Sequence, residues 1–357
     1  MHERVALLGA GTGPANNLIR SLRAGDPSVI VVGCHADRFV LKQSTAERNY
    51  LIPRSDHPGF VDGVRRVVET ERIDLLIPTT DGDVRLLSTT REQIPCRTFL
   101  PRAEIMAVCQ DKFRLTTLLR ERGLSVPLTY AVSDVDRIDE LFDALAPCPD
   151  GLWCRLRVGQ GALGALRVRS PEQAAAWIGF WEEMRGVPAS SFTLSEYLPG
   201  RDFACQTLWD KGRLILLKTY ERLSYLGGEG PSGNSSIAAL SKTVYEPRVA
   251  ETCAKAIGAI DAEASGVFVL DLKEDSRGVP AITEVNAGRF GMSTNIFDLP
   301  GKHNMAVTYV RLALGAAVTI GDEYDVAENY YMVRDVDTVP AIFHAEELFE
   351  GIEDARH

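Results

Sequence analysis

The sequence predicts an α/β protein, in which a domain with a mainly parallel sheet precedes segments of mixed α and β structure (α+β). The chain has 357 residues, enough for two or three domains of roughly 150 residues each. Hydrophobic residues make up 45% and charged residues 25% of the chain, the usual balance of a globular protein. Short apolar runs alternate with helical patterns over about the first 105 residues, which indicates βαβ units.

The N-terminal region alternates predicted strands and helices. An apolar run at 5–8 leads into a glycine-rich turn and a helix, and the same order of strand and helix then repeats. Strands that alternate with helices of about ten residues are typical of a parallel sheet. The predicted elements are strand 5–8, helix 15–23, strand 29–32, helix 59–70, strand 74–78 and strand 97–100.

The rest of the chain is predicted to mix α and β elements. A helix over 112–122 ends at Gly123, a residue type favoured just past helix C-termini. A tight turn at 210–212 between two apolar runs predicts an antiparallel hairpin. The last ~40 residues combine short strands with an acidic tail. The other predicted elements are strands 152–155 and 165–168, helix 171–184, strands 193–197, 203–208 and 213–217, helix 247–262, strands 267–272 and 281–286, and helix 301–314.

The charge of the chain excludes several classes of partner. There are 39 Lys and Arg against 49 Asp and Glu, a formal net charge of −10, which gives no footprint for nucleic acid or an anionic membrane. No apolar run approaches the roughly 20 residues that span a bilayer, and the N-terminus lacks the apolar stretch of a signal peptide. The seven cysteines form no Cys-x-x-Cys pair, which favours reduced thiols. We therefore expect a cytoplasmic protein.

A glycine-rich turn, Gly9 to Pro14, follows the first predicted strand. Glycines there would let the backbone approach a phosphate, and the helix that follows would favour an anion, as in NAD-binding domains. The match is imperfect, because Ala15 stands in place of the third glycine and Pro14 intrudes. A tight strand-to-helix turn in a Rossmann-like domain is the preferred interpretation, and an NAD-dependent dehydrogenase is the alternative.

A second glycine-rich segment lies between two predicted strands. Arg155 precedes it, and Gly159, Gly161 and Gly164 lie within it. A glycine-rich hairpin loop with flanking cations can close over a polyphosphate through Arg and backbone N–H groups. The alternative interpretation is a flexible, solvated turn.

Oxygen-bearing side chains occur on two neighbouring strands further along the chain. Glu284 and Asn286 are two residues apart, so they project from the same face of their strand. Asp271 lies on the strand before, and Arg289 lies just beyond. Two carboxylates and an amide oxygen suit Mg²⁺, a hard cation that shares oxygen ligands with phosphates. Paired strand carboxylates that are simply solvated are the alternative.

The order and spacing of these motifs resemble the ATP-grasp superfamily. The closest similarity is to its carboxylate–amine ligases and to the synthetase units of the large subunit of carbamoyl phosphate synthetase, and it covers about residues 1–315. The resemblance implies a Rossmann-like N-terminal domain followed by two α+β lobes that clasp ATP. The implied parts are the N-terminal domain 1–107, a central lobe 108–190, a C-terminal lobe with the metal site 191–320, and an extension 321–357. The motifs are Asp111 with Lys112 at a helix start, Arg155 before the hairpin, 196–200, Asp271 and 284–286.

The resemblance also implies roles for individual residues. Lys112 and Arg155 would contact the phosphates of ATP with the loop at Gly159, Gly161 and Gly164. Two departures occur, since Asp271 is more often Glu or Gln and Arg289 follows Asn286 by three residues rather than two. The implied assignments are Glu196, Tyr197 and Leu198 at the adenine ring, Asp202 at the ribose, Asp271, Glu284 and Asn286 at two Mg²⁺ ions, with Mn²⁺ as the alternative, and Arg289 at the γ-phosphate.

A third glycine-rich segment, 227–236, is a second candidate for the lid over the reaction. Lys218 and Arg222 come just before it and are candidate catalytic residues. A lid is needed in the implied chemistry, because an acylphosphate formed from ATP and a carboxylate reacts readily with water. Plain disorder of this segment is the alternative.

The function implied by the resemblance is ATP-dependent ligation. A small carboxylate, such as an amino acid, would be activated as an acylphosphate and joined to an amine, and the enzyme would form a homodimer. Phosphorylation of bicarbonate or carbamate is the nearest alternative, although a second synthetase unit and a glutaminase partner are missing. A nucleotide-binding module without catalysis is a further alternative, against which Lys112, Glu284 and Asn286 argue.

Overall fold

The computed structural model describes residues 2–146, 148–159, 161–227, 236–336, 338–348 and 350. The described strands form one parallel sheet and two antiparallel sheets. Within these residues, no helix has both the length and the apolar character needed to cross a membrane.

The N-terminal domain is a four-stranded parallel sheet with helices on its faces. The strands lie in the order β3-β2-β1-β4, and Val5 of β1 lies between Val31 of β2 and Leu75 of β4. Both faces of β1 are covered, which explains its continuous apolar run. The elements are β1 (Arg4–Leu8), α1 (Gly13–Gly25), β2 (Ile30–His35), α2 (Arg38–Leu41), β3 (Arg48–Leu51), α3 (Phe60–Glu71), β4 (Leu75–Ile77), α4 (Asp81–Thr90) and α5 (Ala103–Gln110).

Parts of this domain differ from the sequence prediction. α2, β3, α4 and α5 are additional elements. β3 carries polar residues because it is an edge strand that pairs with β2 alone among the described strands. The predicted strand 97–100 is wrong, because Arg97 forms only an isolated parallel bridge to Leu75. α4 begins at a side-chain cap, since the Thr80 hydroxyl accepts a hydrogen bond from the Asp83 amide at 3.2 Å.

The central lobe contains a four-stranded antiparallel sheet in the order β5-β8-β6-β7. Its first helix starts at Asp111, whose carboxylate accepts hydrogen bonds from the amides of Phe113 and Arg114 at 3.1 Å each. This cap fixes the position of Lys112 in the first turn. The elements are α6 (Lys112–Glu121), β5 (Thr129–Ala131), α7 (Ile138–Ala144), β6 (Leu152–Leu156), β7 (Leu166–Val168), α8 (Pro171–Arg185) and β8 (Phe192–Glu196).

The C-terminal lobe is built on a seven-stranded antiparallel sheet in the order β13-β12-β9-β10-β11-β14-β15. The segment predicted as an extension adds β14 and β15 to this sheet, through pairing of β14 with β11. The elements are β9 (Asp202–Asp210), β10 (Arg213–Tyr225), β11 (Ala238–Thr243), α9 (Pro247–Ile260), β12 (Gly266–Glu274), β13 (Pro280–Ala287), α10 (Met305–Ala313), β14 (Tyr330–Val333) and β15 (Ala341–His344).

The predicted tight turn at 210–212 joins β9 to β10. Arg213 pairs with Asp210, and the two residues between them, Lys211 and Gly212, have φ values of 50° and 80°. Two consecutive residues with positive φ match the twist of a two-residue hairpin. The predicted hairpin is therefore confirmed.

Candidate active site

A cavity of about 680 Å³ lies between the N-terminal domain and the two lobes. The carboxylate strands β12 and β13 form one wall, the glycine-rich loop after β6 forms another, and Thr12 and Thr80 of the N-terminal domain close one side. Most of the residues predicted from the sequence meet in this cavity. They are Lys112, Arg155, Gly159, Gly161, Glu196, Tyr197, Leu198, Asp202, Arg222, Asp271, Glu284, Asn286 and Arg289.

Lys112 connects the glycine-rich loop to the carboxylate wall. Its side chain is 8% exposed, and its Nζ donates to the Gly159 carbonyl at 2.7 Å and lies 3.7 Å from Glu284 Oε2. Burial lowers the pKa of Lys112, and the Glu284 carboxylate opposes that shift. A desolvated ammonium group in this position can bind an anion with little loss of hydration.

Arg155 is a second buried cation in the same wall. Its Nη2 donates to the Thr283 carbonyl at 2.8 Å, whereas its buried Nε has no hydrogen-bond partner among the residues that the structure describes. Burial lowers the pKa of Arg155, and Glu284 and Asp271 oppose that shift. An unsatisfied buried donor is costly, so this nitrogen marks a place for an acceptor such as a phosphate oxygen.

The predicted metal ligands converge as the sequence suggests. Asp271 of β12 pairs directly with Glu284 of β13, and Asn286 lies two residues further along β13 on the same face. Each of the three has a cationic neighbour in the structure. Asp271 accepts a hydrogen bond from Arg222, Glu284 Oε2 lies 3.7 Å from Lys112 Nζ, and Asn286 Oδ1 accepts from Arg289 Nη2 at 2.7 Å. The described residues contain no group of three or more His, Cys, Asp or Glu that could hold a metal. The donor set is therefore two carboxylates with one amide oxygen, which fits Mg²⁺.

Arg222 links this wall to the predicted ribose residue. Its Nη1 lies 2.9 Å from Asp202 Oδ1, and its Nη2 pairs with Asp271. The Tyr225 hydroxyl also donates to Asp202. Arg222 thus orients both carboxylates, and it is available to any anion that displaces one of them.

The opposite end of the cavity carries an aromatic platform. The rings of Trp153 and Tyr197 have centroids 6.2 Å apart, and the Arg167 guanidinium carbon lies 3.9 Å from the centre of the Tyr197 ring. Glu196 ends β8 beside them, and Leu198 is buried. Two aromatic rings, tilted by 50° to each other, with an adjacent carboxylate suit a base that carries an amino group.

Arg289 joins the site to the N-terminal domain. Its Nε forms an ion pair with Asp81, the first residue of α4. Sequence reasoning did not assign Asp81 a role, although it lies directly after β4, where the carboxyl ends of parallel strands meet a crevice. The Arg289 guanidinium is therefore partly neutralised by another domain.

Two predicted residues lie elsewhere. Lys218 is outside the residues that line the cavity, and its Nζ is buried 2.8 Å from Asp325 Oδ2 and 3.6 Å from Asp298 Oδ1. Gly164 packs against Leu156 and does not line the cavity. Within the two candidate lids, Gln160 and 228–235 lie outside the described residues.

The glycine-rich turn after β1 does require glycine. A Cβ added at Gly9 would lie 2.3 Å from Thr79 Oγ1, and one at Gly11 would lie 2.0 Å from the Val40 carbonyl, while both residues have positive φ. The interpretation as a tight strand-to-helix turn is therefore confirmed. The turn also places Thr12 and Pro14 in the cavity wall, which the sequence pattern did not reveal.

Comparison with known proteins gives the fold. No family model matches the sequence. A protein of Marinobacter nauticus named probable alpha-L-glutamate ligase is 26% identical over 223 residues, which are 61% of this chain and 69% of the relative. The L-amino acid ligase of Bacillus licheniformis superposes with a TM-score of 0.68 and 14% identity, over 92% of this chain and 78% of that one. The chain has the ATP-grasp fold.

A second ATP-grasp structure supports the same conclusion and shows a nucleotide. The biotin carboxylase domain of 2-oxoglutarate carboxylase from Hydrogenobacter thermophilus, in complex with MgADP, ADP and bicarbonate, superposes with a TM-score of 0.71. Its identity is 13%, over 93% of this chain and 74% of that one. The predicted ATP-grasp fold, with a Rossmann-like domain before the lobes, is confirmed.

Proposed function

We propose that the protein is an ATP-dependent ligase that activates a small carboxylate as an acylphosphate and joins it to an amine. The observation that carries the proposal is one cavity in which Lys112 and the unsatisfied Nε of Arg155 face the carboxylates of Asp271 and Glu284. The names of the relatives, probable alpha-L-glutamate ligase and L-amino acid ligase, support an amino acid as the carboxylate substrate.

ATP would lie along the length of the cavity. Lys112 and Arg155 would bind its phosphates, and the loop at Gly159 and Gly161 would close over them. The base would lie on the Trp153 and Tyr197 platform, with the Glu196 carboxylate accepting from the amino group and Leu198 contacting the ring. Asp202 would bind the ribose hydroxyls once Arg222 and Tyr225 hold it in place.

Asp271, Glu284 and Asn286 would hold the metal, as two Mg²⁺ ions or Mn²⁺ in their place. Bound Mg²⁺ would neutralise phosphate charge, which two carboxylates alone would repel. In the structure Lys112 and Arg222 offset the charges of Glu284 and Asp271, and Arg289 donates a hydrogen bond to the uncharged Asn286 amide. Each cation is then free to turn to an incoming anion when the ligand oxygens are engaged elsewhere.

The reaction brings two anions together, so the residues must offset their repulsion. Lys112 and Arg155 would stabilise the charge on the moving phosphoryl group. Arg289, released from Asn286, would hold the attacking carboxylate beside them. The glycine-rich loop would exclude water while the amine attacks the acyl carbon and phosphate leaves. Lys218 has no part in this scheme, because its charge is held by Asp325 and Asp298.

Trapping of the intermediate tests the proposal. With ATP, Mg²⁺ and an amino acid but no acceptor amine, hydroxylamine should give a hydroxamate, and ¹⁸O from the labelled carboxylate should appear in released phosphate. Transfer of ¹⁸O from labelled bicarbonate, but from no organic acid, would identify bicarbonate phosphorylation instead. Absence of ADP formation with all of these would leave only nucleotide binding.

The proposal includes a cytoplasmic homodimer. All seven cysteines are free thiols, as expected in a reducing compartment. Sedimentation equilibrium of the purified chain tests the dimer, and cell fractionation tests the location.

A further inference from the structure

Arg334, the residue after β14, is a buried cation without an acidic partner. It is 9% exposed, and among the described residues it forms no ion pair. The hydrogen bonds of its guanidinium are long and go to uncharged groups: Nη1 donates to Ser293 Oγ at 3.3 Å, and Nη2 donates to the Met292 carbonyl at 3.4 Å and to Met332 Sδ at 3.6 Å. Burying a charge that no opposite charge compensates is costly. The described part of the fold thus retains a guanidinium for which it supplies no anion.

The position of this guanidinium is at one end of the cavity. Both Met292 and Ser293 line the cavity, so Arg334 stands directly behind its wall. The Met292 carbonyl also accepts a hydrogen bond from Asn17 Nδ2 of α1 at 2.8 Å. Arg334 and the α1 residue Asn17 therefore meet at one atom, the carbonyl oxygen of a residue that lines the cavity.

The N-terminus of α1 adds a second positive feature at this end. Thr12 and Pro14 line the cavity, and a Cβ added at Gly13 would lie 3.9 Å from Met292 Cε. The Thr12 hydroxyl donates to the Gly9 carbonyl at 2.7 Å and makes no cap of the helix. Pro14 has no N–H, so the partial positive charge at the N-terminus of this 13-residue helix is carried by the amides of the other residues in its first turn.

We propose that the α1 N-terminus, Ser293 and Arg334 form an anion subsite, which binds a substrate carboxylate that is not phosphorylated. The inference rests on the proposed function and narrows it to a substrate class: an amino acid or diacid whose second carboxylate is held apart from Lys112 and Arg155. The carboxylate belongs either to the activated acid or to the amine that attacks it. In both cases the subsite discriminates against the neutral carboxamide of the same substrate.

The test compares carboxylates with carboxamides in the parent enzyme and in Arg334→Met. The pair of amino acids that gives the fastest ADP formation with MgATP is found first. The carboxylate that is not phosphorylated is then replaced by a carboxamide, in the attacking amine and, where the activated acid has a second carboxylate, in that acid. Arg334→Met should raise KM for one of the two acids by about 10- to 100-fold, because the variant lacks the buried opposite charge close to the carboxylate. KM for the matching carboxamide and for ATP should stay unchanged. The substrate whose KM changes in Arg334→Met is the one whose carboxylate binds in the subsite, which identifies it as the activated acid or as the attacking amine.

Two further variants separate binding from structure. Arg20→Met removes another arginine that ties α1 to the C-terminal segment, through the Pro340 carbonyl at 2.9 Å, and should leave the ratio of acid to carboxamide KM unchanged. Arg334→Lys keeps the charge and should recover part of that ratio. The subsite is overturned, while ligation by the parent stands, if KM rises equally for acid and carboxamide in Arg334→Met. It is also overturned if Arg334→Met does not fold and Arg334→Lys shows no recovery of the KM ratio. No ADP formation by the parent with any pair overturns the ligase proposal, and the subsite with it.

Discussion

Glu284 lies opposite Asp271 across two strands and within reach of the Lys112 ammonium group. Glu284→Gln keeps the size of the side chain and removes its charge, so metal binding should weaken and phosphoryl transfer should slow. We expect ADP formation to fall by at least about 100-fold, as for loss of a group that stabilises transition-state charge. A coupled ADP assay under saturating ATP measures the change.

The matched control for this prediction is Glu251→Gln. Glu251 forms an exposed pair with Lys255 on the surface of α9, so its substitution should leave the rate unchanged. A folded Glu284→Gln enzyme that turns over at the parent rate would show that Glu284 holds no metal.

Glu196 sets the expected choice of nucleotide. Its carboxylate should accept from the amino group of adenine, whereas guanine presents a carbonyl in that position, so ATP should bind more tightly than GTP. Leaving the carboxylate without a donor should cost roughly 1–3 kcal/mol. Calorimetric titration of both nucleotides measures the difference, and Glu196→Gln should reduce it. Equal affinities in the parent would remove Glu196 from the base-binding end.

Single residues show what sequence patterns can and cannot place. Glu284 and Asn286 share a face because alternation along a strand requires it. Lys218 and Arg222 also lie on one face of β10, but four residues span about 13 Å of strand. Arg222 therefore reaches the cavity while Lys218 is covered by Asp298 and Asp325. The sequence shows that two residues share a face of a strand. Tertiary packing decides which of them reaches the cavity and which is covered by other side chains.

At the level of elements, prediction succeeded where local signals are strong. The β9–β10 hairpin and the helix that begins after Asp111 carry their own turn and cap residues. β11 and α7 were not predicted. In β11 three apolar residues are followed by serine, lysine and threonine without alternation, and α7 has only 7 residues. Such elements gain their stability from the sheet or lobe on which they pack rather than from propensity.

The glycine-rich loop offers a prediction about an element. Trp177 of α8 donates its Nε1–H to the Gly164 carbonyl at 3.0 Å, which anchors one end of the loop. Trp177→Phe keeps an aromatic ring but removes the donor, so the closed loop should exclude water less well. We expect ATP hydrolysis to rise relative to amide formation, measured as the ratio of phosphate released to product formed. Met184→Leu, at an exposed position on the same helix, is the control and should not change this ratio.

At the scale of the whole molecule, a buried ion pair attaches the C-terminal segment to the rest of the fold. Asp325 and Lys218 are each 4% exposed, and their charged atoms lie 2.8 Å apart. Asp325→Asn leaves the buried ammonium with Asp298 only, and should lower the free energy of unfolding by about 3 kcal/mol. Asp322→Asn is the matched control, since its pair with Lys302 is exposed and 3.7 Å long. Urea unfolding measures both.

The same pair predicts a dependence on pH. Burial raises the pKa of Asp325, but Lys218 and the amides of Lys302 and His303 lower it further, so the net shift is downward from 3.8. A carboxyl group with a lowered pKa stabilises the fold fully above its unfolded pKa, and this contribution disappears as the pH falls through the folded value. The difference in unfolding free energy between the parent and Asp325→Asn should therefore shrink below about pH 3.8. A difference that is constant over that range would contradict the assignment.

The ion pair between Asp81 and Arg289 couples substrate affinity to the attachment of the N-terminal domain. Arg289 can neutralise Asp81 of the N-terminal domain or an anion in the cavity, and each occupant competes with the other. The ion pair with Asp81 must break before Arg289 can bind an anionic substrate, so its free energy lowers substrate affinity. By thermodynamic reciprocity, bound substrate weakens the attachment of the N-terminal domain by the same amount. At position 81, a substitution that raises substrate affinity is therefore expected to weaken the attachment of the N-terminal domain, and one that strengthens this attachment is expected to lower substrate affinity.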